Sequence, residues 1–505
     1  MKVILPLMVL ILACGGGLKA AGATAALPRS TPEAQGISSA AIGEFVEAAD
    51  TQIDAMNSFL LVRHGHVVAE GWWAPYRPEA PHTFFSLTKS FTSTAVGFAV
   101  TEGKLSLDDP IISFFPAAVP ATPGTNLKAM RIRDLLAMST GHHGDAIENF
   151  FGPEPRDLPR SFLALPVADK PGTHFVYNTP ASHLLSEIVQ KVTGEKLADY
   201  LRPRLLEPLG IQDLRWAETA DGVSLGGYGI AGRTEDIAKF GLLYLQKGQW
   251  QGRQLLPAAW VEAATARQTS NGSDPNSDWD QGYGYQFWRT RHGLYRGDGA
   301  FGQYCIVFPE HDAVVAITSG VRNMQAVMNL VWEKILPALQ PAPLAADASA
   351  VAALQSRLRQ LRLPRPAGTV AAAGLAGVSG KTYALPANAA GLEAVACDFT
   401  AASPTLTFTR GGQPHRIVCG GDAWHEGRTA LLPHLGHDPA APDQPYAAAG
   451  AWTQPDTYTA KLVLTETPYY LTITCRFGGD LVVLDLEQNV AFGPTKLPSL
   501  VGTRQ

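Results

Sequence analysis

Cysteine is scarce in this chain. Five occur in 505 residues: Cys14, Cys305, Cys397, Cys419 and Cys475, three of them in the last quarter. Their spacing fits neither a metal-ligand motif nor a dense disulfide framework, and no pair is assigned, although export would allow one. Strong charge is also missing. A formal net charge of -5 over this length argues against a nucleic-acid surface and says little else. No internal repeat or periodic low-complexity segment stands out. Past the N-terminal segment, no apolar run is long enough to span a bilayer.

What remains is ordinary globular material, 46% hydrophobic and 17% charged. The length exceeds one typical core, so two or three domains are expected. Met1 and Lys2 precede an apolar run over residues 3–13, interrupted by Pro6. This run is too short to cross a membrane and suits a secretory signal, expected over residues 1–26. Two processing readings stand. Leu12-Ala13-Cys14-Gly15 resembles a bacterial lipobox, which would lipidate Cys14 and tether the chain. Ala21-Gly22-Ala23 or Ala23-Thr24-Ala25 suits ordinary signal peptidase. Both imply export to the periplasm, soluble or lipid-anchored to a bacterial membrane.

Apolar spacing predicts a first helix over 37–53, capped by Ser38 or Ser39, then a hairpin over 59–72 turning at His64-Gly65. The His64-x-His66 pair is better read as a turn than as a metal site, having only Glu70 nearby. Helices are expected over 132–137, 181–193, 236–246, 257–266 and 324–339, with Gly194 closing the second. His142-His143-Gly144-Asp145 resembles a zinc signature only loosely and reads as a loop bordering a cleft. Strands are expected over 283–288, 303–308 and 313–318. Residues 27–340 thus form an α+β layered domain. Residues 341–369 read as a linker with a helix over 348–361. Residues 370–505 read as a small antiparallel β domain, with turns at Gly411-Gly412 and Gly478-Gly479.

The chemistry centres on Ser86-Leu87-Thr88-Lys89, which opens the apolar stretch Phe91, Ala95, Val96, Phe98, Ala99 and Val100. Helical residues three apart share a face, so the serine hydroxyl and lysine amine can meet. Burial disfavours the ammonium and lowers a lysine pKa, leaving an amine able to activate the serine. Taken alone, the tetrapeptide also fits a helix start with a surface lysine. Two further pieces follow in chain order: Tyr177 on a loop just before a helix, and the turn Arg296-Gly297-Asp298-Gly299-Ala300-Phe301-Gly302-Gln303.

In that order, the chain resembles the β-lactamase-related serine hydrolases, the superfamily of class C β-lactamases, penicillin-binding proteins and esterases. The resemblance runs from about residue 31 to 339 and includes Arg133-Asp134-Leu135-Leu136 and Pro171-Gly172-Thr173-His174-Phe175-Val176-Tyr177-Asn178. It implies a β-lactamase/transpeptidase-like domain, an antiparallel sheet flanked by helices with an all-helical insert. Ser86 is then the nucleophile, and Lys89 and Tyr177 share the base work, the lysine cation favouring a phenolate. The oxyanion hole comprises the Ser86 N–H and one from the Gly-rich turn, around Gly297 and Gly299.

Two departures bear on substrate. The family often has Tyr-x-Asn, where this chain has Thr179, a hydroxyl in place of an amide. Gly297 stands at the usual basic position of the third motif, with Arg296 the nearest stand-in for holding a substrate carboxylate. The expectation is an esterase-like enzyme acting on esters or amides of a small molecule or peptide, with no metal or organic cofactor. The alternatives are a β-lactamase or D-alanyl-D-alanine peptidase, and a non-catalytic binding protein of the same fold.

Overall fold

The computed structural model describes residues 26–145, 147, 157–369, 377–400, 403–437 and 441–505. The signal segment with Cys14 lies outside the described residues. Among those described, no helix is long and apolar enough to cross a membrane.

The first body is built on a six-stranded antiparallel sheet. Its order is His66–Trp72, Met56–Arg63, Ala313–Ser319, Gln303–Phe308, Tyr295–Gly299, Trp288–Arg289. The central strands are apolar on both faces, and their side chains alternate between two cores as the period of two requires. Leu60, Val62, Cys305, Val307, Val314 and Ala316 face one core. Phe59, Leu61, Tyr304, Ile306, Val315 and Ile317 face the other. The second core is covered by the helix Ser39–Gln52, capped by Ser38, and by the helical segment starting at Met324–Leu330. On the first face lie the helix Thr234–Leu245 and a helical region that includes Thr88–Thr101 and Thr179–Thr193. Helix and sheet approach closely at Gly241, where a Cβ would come within 2.6 Å of Val314 Cγ1.

One expected strand is absent as such. Over 283–288 only Trp288 enters a strand, Trp288–Arg289. Gln286 takes a φ of +63°, which an extended strand excludes. Its carboxamide explains the detour: Nε2 donates to Leu135 O and Leu136 O, and Oε1 accepts from Ser182 Oγ. The expected linker helix is shorter, Ala348–Leu358, and the segment is not loose. Leu354, Leu361 and Leu363 are buried in the second core. Arg357 pairs with Glu47 and Asp50 of the first helix.

The C-terminal part is a ten-stranded antiparallel sheet in a barrel-like arrangement around its own aromatic core. Five of its strands fall where alternation predicted them, as in Thr405–Arg410 and Tyr470–Gly478. Gly411, Gly412 and Gly479 have positive φ at the predicted turns. The strands Lys381–Ala384, Leu392–Asp398, His425–Thr429, Gln444–Gln454 and Leu500–Arg504 were not anticipated. In Gln444–Gln454 the signal is weakened by a run of alanines.

The Ser86 turn is pinned from three sides. Phe84 N donates to Ile230 O, Ile230 N donates to Thr88 Oγ1, and Thr83 N donates to Glu466 O of the C-terminal sheet. On the fourth side runs Tyr295–Gly299. A Cβ on Gly299 would sit 2.0 Å from Phe84 O, and one on Gly297 would sit 2.3 Å from Leu87 Cδ1. These glycines let the strand lie against the turn. Gly299→Ala is expected to lower unfolding stability by about 2–3 kcal/mol, by overpacking against main chain. Chemical denaturation of the variant beside the parent checks this.

Candidate active site

Ser86 belongs to a single 3-10 turn, Phe85–Leu87, which runs into the helix Thr88–Thr101. In a 3-10 turn residues three apart eclipse, so Ser86 and Lys89 still share a face. Lys89 is 1% exposed. Its Nζ donates to Ser86 Oγ at 3.1 Å, to Thr179 Oγ1 at 3.3 Å and to Gly227 O at 2.7 Å. Burial lowers its pKa to about 7, against an opposing pull from Asp145 and Asp298. Tyr177 lies on the loop before Thr179–Thr193, as expected, and the Lys89 Nζ is 4.8 Å from its ring centroid. Its hydroxyl interacts with the Ser86 side chain. The ring stacks on Trp288 with centroids 5.5 Å apart.

The surroundings work against the expected phenolate. Burial first, then the Asp298 carboxylate, push the Tyr177 pKa upward, while burial brings the lysine down to about 7. Both shifts favour the uncharged forms, a neutral phenol beside a neutral amine. Sequence reasoning weighed the lysine charge but not the shared burial of both groups.

Thr179 and Arg296 also stand differently from expectation. The Thr179 hydroxyl accepts from Lys89 and donates to Asp145 Oδ2 at 3.0 Å, and its N–H donates to Asp145 Oδ1 at 2.9 Å. The hydroxyl proton is committed to Asp145 and not offered to a substrate. Arg296 is 0% exposed. Its Nε donates to Asp298 Oδ2 at 2.9 Å and its Nη1 to Asp278 O at 2.8 Å. Trp279 and Trp288 flank the guanidinium. An arginine held this way has no free fork for a substrate carboxylate. Gly297 and Gly299 do lie against the Ser86 turn, and their lack of side chains is a packing requirement. Beyond Arg296 no strand among the described residues pairs with the outer edge of their strand, because Trp288–Arg289 pairs only with Arg296 and Tyr295.

Asp145, Asp298, Gly227 and Trp288 were not anticipated as site residues. Two of them carried a signal: Asp145 in the His142-His143-Gly144-Asp145 loop, read as bordering a cleft, and Asp298 inside the Gly-rich turn. Among the described residues, no group of three His, Cys, Asp or Glu side chains is placed to hold a metal ion.

A serine hydroxyl paired with a buried amine, beside a phenol and an open strand edge, on an α+β sheet domain, defines a β-lactamase/transpeptidase-like protein. The chain belongs to the Beta-lactamase family, whose profile matches residues 42–370. It is 24% identical over 282 residues to the 6-aminohexanoate-dimer hydrolase of Paenarthrobacter ureafaciens, covering 51% of this chain and 71% of that protein. It is 27% identical over 172 residues to Protein flp of Staphylococcus aureus, covering 32% of this chain and 34% of that protein. Among solved structures, the octameric penicillin-binding protein homologue from Pyrococcus abyssi is 18% identical. That match covers 91% of this chain and 99% of the other, with a TM-score of 0.46.

Asp145 raises the Lys89 pKa through its charge. Asp145→Asn is expected to let that pKa fall further, moving the rising limb of the pH–kcat/KM profile to lower pH. Rate profiles of the variant and parent, collected between pH 5 and 9 with one ester, check the direction.

Proposed function

We propose that this protein is a serine hydrolase that forms an acyl-enzyme on Ser86 and acts on esters or amides, with esterase-like chemistry. The observation that carries the reading is the 3.1 Å contact between Ser86 Oγ and a lysine amine whose burial brings its pKa to about 7. At neutral pH a useful share of Lys89 is uncharged and can accept the serine proton.

In this reading Ser86 Oγ attacks the carbonyl as its proton passes to Lys89 Nζ. The oxyanion is met by the Ser86 N–H and a backbone N–H of the Gly-rich edge, donors worth roughly 3–4 kcal/mol each at comparable sites. Lys89 then returns the proton to the leaving group, aided by the neutral Tyr177 hydroxyl. Water repeats the sequence to release the acid. The buried Arg296 and the side-chain-free Gly297 favour substrates without a carboxylate at that end, and so rank β-lactams and D-alanyl peptides second. The hydrolase name of the Paenarthrobacter relative supports hydrolysis in general terms. We also propose export, on the strength of the apolar segment after Met1 and Lys2; cell fractionation with an antibody to the chain tests it.

The deciding experiment assays purified protein with short-chain p-nitrophenyl esters, a chromogenic cephalosporin and a D-Ala-D-Ala peptide. Ester turnover is expected to lead, and to fall at least about 1,000-fold in Ser86→Ala. Turnover that survives the substitution would sink the mechanism, and cephalosporin rates matching the ester rates would reverse the ranking. Absence of turnover together with no labelling by a fluorophosphonate would favour a binding protein. For the acid limb the sign is set by Lys89: only the neutral amine is a base, so kcat/KM is expected to fall about tenfold per pH unit below about 7. Tyr177→Phe, which keeps the stack on Trp288, is expected to cost about 100-fold or more in kcat by steady-state kinetics.

A further inference from the structure

Phe492 is 78% exposed, the most exposed of the large hydrophobic side chains among the described residues. It lies in the connection between two strands of the C-terminal sheet, Leu481–Gln488 and Leu500–Arg504. This connection is firmly held. Asn489 Nδ2 donates to Gly320 O and Pro468 O, each at 2.8 Å, and Asn489 Oδ1 accepts from Tyr470 N. Arg322 Nη2 donates to Thr495 Oγ1, and Gln488 N donates to Thr495 O. The C-terminal sheet is thus clamped onto the sheet domain at residues 320–322, just past Ser319, whose hydroxyl donates to Phe301 O and Gly302 O.

The clamp sets Phe492 beside the reaction centre. Its ring centroid is 4.8 Å from that of Phe301 and 6.0 Å from that of Phe85, the residue preceding the nucleophile. Phe85 and Phe301 meet edge to face at 5.5 Å, and Tyr469 closes the cluster from below. Phe85 and Phe301 both have positive φ, +49° and +67°, a conformation bulky residues rarely adopt. Tyr469 is 6% exposed, so it fills the cluster, whereas Phe492 leaves most of its ring free. An apolar ring left mostly in water beside this cluster contributes little to the core.

Two groups of side chains adjoin Ser86. Lys89, Tyr177 and Trp288 form the polar group through which a proton would reach the leaving group. Phe85, next to Ser86 in the chain, joins Phe301 and Phe492 in a separate apolar group. Building on the serine-hydrolase reading above, we infer that Phe492, supplied by the C-terminal sheet, is a specificity-determining residue forming with Phe301 an apolar wall for the acyl part of the substrate. The class selected is carboxylic esters or amides with an aromatic or branched apolar acyl group. The C-terminal sheet is then part of the substrate site.

The test compares p-nitrophenyl acetate, butyrate and phenylacetate, which share a leaving group. In the full-length parent, phenylacetate is expected to exceed acetate in kcat/KM. Phe492→Ala is expected to reduce that preference about tenfold, and Phe492→Leu to restore part of it. An unchanged preference in Phe492→Ala overturns the proposal. So does an unchanged preference accompanied by a loss of dimers in sedimentation, which would assign the ring to an interface between copies. A binding measurement separates this proposal from the mechanism. Calorimetry on Ser86→Ala and on Ser86→Ala/Phe492→Ala gives the Kd of phenylacetone, a ketone analogue of the phenylacetate ester with no leaving group, so binding is read without turnover whichever residue is the nucleophile. At least fivefold weaker binding in the double variant supports the wall even if Ser86 proves not to be the nucleophile. Equal Kd values overturn it even if Ser86 does.

Discussion

The structure turns on an amine deprived of water. Lys89 is enclosed by the helix that carries it, by the start of Thr179–Thr193 and by Gly227, whose carbonyl is its shortest partner. Burying an ammonium is costly, and the fold offsets part of the cost with three acceptors while keeping the two nearest carboxylates from pairing directly with it. Asp145 is occupied by the Thr179 N–H and hydroxyl, and Asp298 by Arg296. A carboxylate in direct contact would have kept the lysine charged. Holding both one residue away leaves an amine that can exchange a proton with Ser86.

The same constraint accounts for the composition of the surroundings. The Ser86 turn must lie close to the edge of the sheet, and the sheet approaches with two glycines because side chains would strike Leu87 and Phe84. A basic residue at position 297 would meet the same obstacle, so the departure from the usual family motif has a steric cause. The buried charge on Arg296 is matched by Asp298 and layered between Trp279 and Trp288, and Trp288 in turn supports Tyr177. Ion pair, tryptophans and phenol thus form one continuous wall of the site.

On the opposite side the C-terminal sheet takes part. Glu466 O receives the Thr83 N–H, the Tyr76 hydroxyl donates to Thr467 O, and Asn489 reaches Gly320. The first two fall on the segment that leads into Phe85 and Ser86, and the third on the end of the central strand Ala313–Ser319. The positive φ of Phe85 is held by rings from both bodies, so the geometry of the Ser86 turn depends on residues about 400 positions away in sequence.

The sequence by itself determined the pairing of Ser86 with Lys89, because i and i+3 spacing brings them together in either kind of helical turn. It also determined the main helices and central strands of the sheet domain, since apolar periodicity survives wherever one face must be buried. Tertiary structure decided what depends on neighbours distant in the chain. The apolar helix announced the burial of Lys89, but no local pattern reports that Tyr177 is buried with it and so held against ionisation. Arg296 and Thr179 look available in sequence and prove engaged only once Asp298 and Asp145 are brought beside them. Half of the C-terminal strands escaped notice because alanine and charged residues blur alternation, and Phe492 acquires meaning only when the chain folds it back beside Phe85.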